Sequence, residues 1–347
     1  MKIKNILYVF LLINIVALDI GAMEQPNVQQ TAQLTRRVYP SNVPLLIWCG
    51  HFKNDESCLN WLPMELIVEI INHIRKIQND QDLLNAGLLK AVKANDKDTV
   101  IQLLKESYIN INIKDKFGNT PLHWAVLEGH LEIIQILLDN SANLDIQDDL
   151  GYTALISAVA TNEPEIMQML LNANANPDIQ GNYGGTALMR AITFNNMEIV
   201  KILLDKGANP NIEDNHGVTP LLLAAGYNCP RIVRILLEKG ANPNTQNNYG
   251  GTPLNWAVKN NNPEIVQMLF DNGANPNIQT KDGDTSLIYA VLNNPMMVKI
   301  LLDKGANPDI PDRDGNTALN LAVKLEDPAI IDLIKKAKEK LDNVGTS

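Results

Sequence analysis

"GNTPLHWAVLEGHLEIIQILLD" (Gly118–Asp139) is the first clear copy of a pattern that recurs along about two thirds of the 347 residues of this chain. In each copy a threonine is followed by a leucine two residues later and by an alanine five residues later. The threonines are spaced by 33 residues, and once by 32: Thr120, Thr153, Thr186, Thr219, Thr252, Thr285 and Thr317. A fixed period of this length indicates a repeat architecture.

Each copy has the pattern of two short helices separated by a tight turn. Ile133, Leu137–Leu138 and their equivalents place one apolar face on each helix. Gly129, which is asparagine in the next four copies, tolerates the left-handed conformation that ends a first helix. After the second helix, "GANPN" or a close variant predicts a tight turn and an extended hairpin. One copy cannot bury its apolar face alone, so neighbouring copies are expected to stack into a solenoid.

This pattern resembles the ankyrin repeat family, whose signature Thr-Pro-Leu-His-x-Ala is complete at Thr120–Ala125. Seven copies cover about residues 114–341, and Leu83–Ile113 resembles a degenerate first copy. The resemblance implies an all-α fold, an ankyrin-repeat solenoid of helix–turn–helix–hairpin units over residues 83–341, followed by a tail at 342–347. In the last copy Lys335 stands where an earlier copy has Leu138, which predicts a polar face that closes the array.

His123, Glu128, His130 and Glu132 are close enough in the sequence to suggest a metal or catalytic site. The other copies argue against such a site, because they carry apolar residues or asparagine in place of His123. Glu132 recurs as an acid in the first turn of the second helix, where the helix dipole favours a negative charge. The ankyrin resemblance implies that His123 makes hydrogen bonds between the turns of neighbouring repeats.

The rest of the sequence offers no motif for enzyme chemistry. It lacks a phosphate-binding loop, a nucleophile elbow and a zinc-spaced cysteine set. Cys49, His51, Cys58 and His73 match no standard metal-site spacing. We therefore predict a non-enzymatic protein with no catalytic, cofactor-binding or metal-binding residues. A net charge of −10 argues against nucleic acid or anionic membranes as partners, and we expect a monomer.

Residues 1–22 have the pattern of a secretory signal peptide. Lys2 and Lys4 precede the apolar run Ile6–Leu18, and the small residues Gly21 and Ala22 follow it. The run has 13 residues, whereas a helix that spans a membrane needs about 20. We predict cleavage near Ala22 and a secreted or exported protein without a membrane segment after cleavage. An uncleaved membrane anchor is the alternative.

Residues 23–60 have the pattern of a linker, in which Cys49 and Cys58 could pair after export. Residues 61–82 include LPMELIVEIINHI (Leu62–Ile74), whose apolar residues have helical spacing. One interpretation is an amphipathic helix that caps the first repeat. The other is a resemblance to the opening of an F-box, which implies binding to a Skp-type adaptor of a ubiquitin ligase. The residues that match the F-box pattern are Leu62, Pro63, Glu65, Leu66, Ile70 and Ile74, and the first five are the expected adaptor-binding residues.

Ankyrin repeat proteins bind partner proteins through the hairpin tips and the inner surface of the first helices. The equivalent positions here are Phe117, Leu150, Tyr152, Tyr183, Phe194, His216, Tyr227, Tyr249, Lys281 and Arg313. Six of these residues are aromatic, and because the copies are in register we predict an aromatic stripe along the concave face. Tyr183 and Tyr249 could instead pack between hairpins, and Lys281 and Arg313 mark a charged end.

The sequence thus predicts a scaffold that binds another protein on its ankyrin face. Combined with a signal peptide, this function suggests an exported effector of a host-associated bacterium that acts in the host cell. The alternative function is an F-box-like adaptor that links a captured protein to a ubiquitin ligase.

Overall fold

The computed structural model describes residues 64–106, 108–292 and 294–344. The chain divides into two units, Met1–Leu83 and Leu84–Ser347. The regular structure of the described residues consists of 16 helices, and no strand is present among them. None of these described helices combines the length and the apolar character needed to span a bilayer. The predicted signal peptide, the predicted linker, Leu62 and Pro63 lie outside the described residues.

The helices alternate between the first and the second helix of each copy. In chain order they are α1 (Met64–Lys93), α2 (Lys97–Leu103), α3 (Pro121–Leu127), α4 (Leu131–Asp139), α5 (Ala154–Thr161), α6 (Pro164–Asn172), α7 (Ala187–Thr193), α8 (Met197–Asp205), α9 (Pro220–Gly226), α10 (Pro230–Glu238), α11 (Pro253–Lys259), α12 (Pro263–Asp271), α13 (Ser286–Val291), α14 (Pro295–Asp303), α15 (Ala318–Lys324) and α16 (Pro328–Val344).

A threonine caps the first helix of every clear copy. Each of the seven threonines has an extended backbone, and its hydroxyl accepts a hydrogen bond from the N–H three residues later. In the first of them, Thr120 Oγ1 accepts from His123 N–H at 3.4 Å. Such a cap contributes about 1 kcal/mol, because the first N–H groups of a helix have no partner within it. The repeated threonine therefore defines where each first helix begins.

The turn between the two helices contains a left-handed residue, as predicted. Gly129 has a φ of +71°, and the asparagines of the next four copies have φ values from +51° to +61°. In the last copy this position is Glu326, with a φ of +54°. A glutamate is less suited to this conformation than glycine or asparagine, so the last turn is strained relative to the others.

The repeated spacing of small and large apolar residues produces one continuous core. All seven repeated alanines, from Ala125 to Ala322, are fully buried and allow close approach of neighbouring first helices. Leucines and isoleucines such as Leu122 and Ile133 pack around them. The core of the second unit runs from Leu88 to Ile334, so each copy is stabilised by burial against its neighbours.

The connection after each second helix is a tight hairpin turn, and the described residues show no strand in it. In the first clear copy, Gly118 N–H donates to Asp115 O at 3.0 Å, and Asp115 N–H donates to Asn119 O at 2.9 Å. Gly118 has a φ of +77°, and a Cβ there would lie 2.6 Å from the backbone nitrogen of Asp149 in the next copy. Glycine is therefore required both by the turn and by the close approach of the next hairpin.

The "GANPN" motif also links neighbouring copies, which was not predicted from the sequence. Asn211 Oδ1 accepts from the N–H of Asn242 in the next copy at 2.8 Å, and Asn211 Nδ2 donates to Gly240 O at 3.1 Å. One copy earlier, Asp178 accepts from Asn209 N–H at 2.8 Å in the same way. The last polar residue of the motif therefore fixes the distance between successive copies.

The degenerate first copy begins inside a longer helix. In this copy Asp96 N–H donates to Ala91 O, as His130 N–H donates to Ala125 O in the next copy, so Ala91 is equivalent to Ala125. The capping threonine stands five residues before Ala125, and the residue five positions before Ala91 is Ala86. Because alanine offers no capping hydroxyl, the helix does not start there. Instead α1 runs without a break through residues 82 and 83, where the sequence pattern predicted a boundary.

The last copy closes the core with a polar residue. Ile334 is fully buried, and the adjacent Lys335 is exposed. A lysine here, where an earlier copy has Leu138, gives the last helix a polar outer position, which is typical of the end of a repeat array.

Candidate protein-binding surface

Five consecutive hairpin tips carry exposed side chains that are mostly apolar. We call these residues the hairpin row: Phe117, Leu150, Tyr183, His216 and Tyr249. Tyr183 and Tyr249 are each 73% exposed, so neither ring is buried between neighbouring hairpins.

Backbone hydrogen bonds hold the hairpin row in register. The carbonyl of each row residue accepts from an N–H of the next hairpin. Asp149 N–H lies 3.1 Å from Phe117 O, and Asn248 N–H lies 2.8 Å from His216 O. Because the spacing of the row is fixed before a partner binds, little backbone freedom would be lost on binding.

Asparagine side chains add a second link between the hairpin tips. Asn182 Nδ2 donates to Asp149 O at 2.8 Å, and Asn215 Nδ2 donates to Asn182 O at 3.0 Å. Asn248 continues the series with a bond to Asn215 O at 3.0 Å. The sequence signal for this link is the recurrence of asparagine directly before the row residue, and it was not among the features that predicted the surface.

Phe194 and Tyr227 provide further exposed rings at the C-terminal ends of α7 and α9. Each is more than half exposed. Phe194 also lines an open groove between two copies, together with Val159, Ala160, Met197 and three asparagines. This groove offers both apolar contacts and amide groups to a partner.

Tyr152, which was predicted at an exposed position, is partly buried. The guanidinium of Arg190 lies 4.8 Å from the Tyr152 ring centroid, and Arg190 Nη1 donates to Tyr152 Oη at 3.0 Å. The same guanidinium lies 5.6 Å from the ring centroid of Phe194. We call Tyr152, Arg190 and Phe194 the arginine cluster. The six predicted aromatic residues are therefore distributed between the hairpin row, the arginine cluster and Tyr227.

Arg190 has unused hydrogen-bonding capacity. Among the described residues, its one bonded nitrogen is Nη1, and it has no ion pair. Its Nε is buried without a hydrogen-bond partner. An unbonded buried donor costs about 1–3 kcal/mol, so an acceptor from a ligand would be stabilising at this position.

A family model for three consecutive ankyrin repeats matches the chain in overlapping segments, at residues 46–148, 88–181, 140–214, 164–247, 188–280 and 254–343. Together these segments cover residues 46–343. The chain belongs to the ankyrin repeat family. The family and the all-α solenoid predicted from the sequence are both confirmed.

Among solved structures, this ankyrin chain is similar to the ankyrin repeat domain of Bcl-3, described as a unique member of the IkappaB protein family. The sequences are 30% identical, the match covers 63% of this chain and 100% of that chain, and the TM-score is 0.57. No curated protein matches the chain. The family match and the structural match both support the prediction that this chain is a scaffold for protein–protein interaction.

In the central copies the acids lie away from the first helices and from the hairpin row. Between Leu150 and Asn260, no first helix and no position of the hairpin row carries one. The acids of this section are Glu163, Glu165, Asp178, Glu198, Asp205, Glu213, Asp214 and Glu238. The first helices contribute two cations instead, Arg190 and Lys259, and Lys259 Nζ lies 5.1 Å from the ring centroid of Trp256. A protein with a net charge of −10 thus presents positive charge next to aromatic rings here.

The later ankyrin hairpins carry charge in place of the apolar row. Lys281 and Arg313 are exposed, and Asp282 occupies the tip position that follows Tyr249. Arg313 Nη1 lies 3.6 Å from Asp282 Oδ1, with both side chains largely exposed, so this pair contributes little to stability. The exposed cations remain accessible to a partner.

His123 has the structural role that the family resemblance implies. Its Nδ1 accepts from Thr120 N–H at 3.2 Å, which leaves Nε2–H to donate to Tyr152 O of the next repeat at 2.9 Å. Burial lowers the pKa of His123. Glu132 pairs with Lys97 at 2.7 Å rather than with a histidine. The described residues contain no group of three or more side chains that could hold a metal ion.

Proposed function

We propose that the protein binds another protein through the hairpin row and the exposed rings at the ends of the first helices. The observation that carries this proposal is the row of exposed, largely apolar side chains on five consecutive hairpins. Aromatic side chains anchor interfaces because they bury a large area at a low cost in entropy. Contiguous exposed apolar surface is also typical of interaction sites.

Capture from a eukaryotic cell lysate tests this function. The full chain is compared with a variant that carries Phe117→Ala, Tyr183→Ala and Tyr249→Ala. Met296→Ala is a matched control, because Met296 is an exposed apolar residue on the second helix α14. We expect a partner that binds the parent and the control but not the triple variant. A partner retained by a folded triple variant would place the interface elsewhere.

We further propose that the protein is exported and acts as an effector in a host cell. The support is the charged start, apolar run and small residues of positions 1–22. N-terminal sequencing of protein recovered outside the producing cell should find a new terminus near Met23. An intact Met1 on membrane-associated protein would favour the anchor instead.

A second candidate function is an F-box-like adaptor. Glu65, Leu66 and Ile70 lie in the first turns of helix α1, which is consistent with the helical spacing of the F-box resemblance. A purified Skp-type adaptor should then bind the full chain and the hairpin-row triple variant, but not a variant with Leu66→Ala and Ile70→Ala. Absence of binding to the parent would leave the interpretation of a capping helix.

A further inference from the structure

We propose that the arginine cluster recognises an aspartate or glutamate side chain of the partner, adjacent to an apolar residue that enters the groove beside Phe194. This inference rests on the proposed function and specifies the chemistry of the partner: a peptide segment that is both acidic and apolar.

The guanidinium of Arg190 is positioned before a ligand binds. Its Nη1 donates to Tyr152 Oη at 3.0 Å, and its central carbon lies 4.8 Å from the ring centroid of Tyr152 and 5.6 Å from that of Phe194. The edge formed by Nε and Nη2 has no partner among the described residues. Two N–H groups on one edge of a guanidinium match the two oxygens of a carboxylate, which gives a short, charge-assisted pair of bonds.

The buried Nε supports a ligand at this edge. Native proteins leave few buried donors unbonded, so each one requires an explanation. The ring centroid of Phe194 lies 5.6 Å from the guanidinium, and the side chain is more than half exposed, so a ligand could displace the ring towards solvent. A carboxylate that reaches Nε after this displacement would satisfy the donor.

The surroundings of the cluster favour an acid. Arg190 has no ion pair within the described chain, and no first helix between Leu150 and Asn260 carries an acid that could compete. Lys259, two copies further along, adds positive charge on the same series of helices. Charge complementarity therefore favours a carboxylate at the guanidinium itself. Glu163 and Glu198 are exposed and directly follow the groove residues Asn162 and Met197, so they disfavour further acids in the segment that enters the groove.

The groove beside Phe194 determines which kind of residue the partner carries next to its acidic side chain. Ala160 and Met197 provide apolar contacts, whereas Val159 is buried below them. Asn195 offers an amide group to the backbone of an extended segment, while Asn196 already donates to Asn162 and caps α8. Because Phe194 belongs to both the groove and the cluster, the two side chains of the partner must be close in its sequence.

Selection of random peptides displayed on phage tests this inference with the full chain. We expect the parent to enrich peptides that contain an acid close to an apolar residue. Arg190→Gln should lose this preference and weaken binding of a selected peptide at least about tenfold. Arg190→Lys should also bind more weakly, because lysine keeps the charge but not the planar fork. Lys201→Gln, on the exposed face of α8, is a control with the same change in charge.

Thermal unfolding establishes which variants are folded, and Phe194→Ala replaces Arg190→Gln if the latter does not fold. Selection without any preference for acids, or affinity unchanged in Arg190→Gln, would overturn the inference. The proposed function would still stand if the lysate partner is lost from the hairpin-row triple variant. Loss of the acid preference in Arg190→Gln, with Lys201→Gln unchanged, supports the inference.

Discussion

His123 and Asn255 occupy the same position in two copies, and each links its own capping threonine to the next copy through a different acceptor. Each accepts from the backbone N–H of its capping threonine, at 3.2 Å for His123 Nδ1 and 2.8 Å for Asn255 Oδ1. Each also reaches the next copy, where His123 donates to Tyr152 O and Asn255 donates to Ser286 Oγ. Asparagine therefore caps the threonine and links two copies without a titratable group, although its bond to the next copy needs a hydroxyl that Ser286 provides and Ala154, the equivalent residue beside His123, does not.

His123→Asn should reduce the acid sensitivity of the fold. Burial lowers the pKa of His123 below its ordinary value of 6.5, so protonation favours the unfolded chain. The stability that neutral His123 provides is complete above about pH 6.5 and is lost as the pH falls through the folded-state pKa. Urea unfolding at about pH 7.5 and pH 5.5 should therefore give a smaller difference in free energy for the variant than for the parent. Equal differences would assign the acid sensitivity to other groups.

Individual residues were predictable from the sequence where their role is local and repeated. The left-handed asparagines belong to this class. The repeated threonines were found in the sequence, but their role as helix caps emerged from the structure. Arg190 was not predictable, because its position is Trp124, Ser157 and Leu223 in other copies, and its contacts depend on Tyr152 of the preceding copy. For the same reason the partial burial of Tyr152 could not be inferred from its own position.

The turn between two helices is the element in which backbone strain is concentrated. Glu326→Asn should stabilise the protein by about 1 kcal/mol, because the left-handed conformation costs an ordinary residue about 1–2 kcal/mol. Gly129→Ala is the matched variant and should destabilise the protein. An added Cβ would have no atom within 4 Å, so the change adds backbone strain without a steric clash. Denaturant unfolding measures both changes. An unchanged midpoint for Glu326→Asn would mean that the last turn is not strained in solution.

The junction between copies depends on the last residue of the "GANPN" motif. Asn211→Ala should cost about 1–2 kcal/mol, because it removes hydrogen bonds to two backbone groups of the next copy. Asn211→Asp should cost less, since Asp145 and Asp178 accept the equivalent N–H in earlier copies, at 3.0 and 2.8 Å. Urea unfolding of both variants separates the contribution of the accepting Oδ1, which aspartate keeps, from that of the donating Nδ2, which aspartate lacks. Equal losses would show that the bond to Gly240 O is the important one.

At the scale of the whole molecule, the period of 33 residues predicted the stacking of the copies, because a single copy cannot bury its apolar face. The length of α1 was not predicted. Its residues include Gly87 but no proline, so the helical pattern of the segment before the repeats continues into the first copy. The alanine at position 86, in place of a capping threonine, could have indicated that no helix begins there. It is recognised only after the hydrogen bonds of the turn between α1 and α2 align this copy with the others.

Stacking also implies that the end of the array opens more readily than its middle. Interior copies contact two neighbours, whereas the last copy contacts one. Five residues of α9 are buried, but only Ala318 and Ala322 are buried in α15, and Val323 is more than half exposed. Because local opening is easier where fewer apolar contacts must break, amides of α15 should exchange with solvent faster than those of α9.

Hydrogen exchange followed by mass spectrometry of the full chain measures this difference. Equal exchange in α9 and α15 would show that the array opens as one cooperative unit. Faster exchange in α15 would place the arginine cluster and most of the hairpin row in the more protected part of the molecule. A partner would then meet a preformed surface, and its affinity would not be reduced by the cost of ordering these copies.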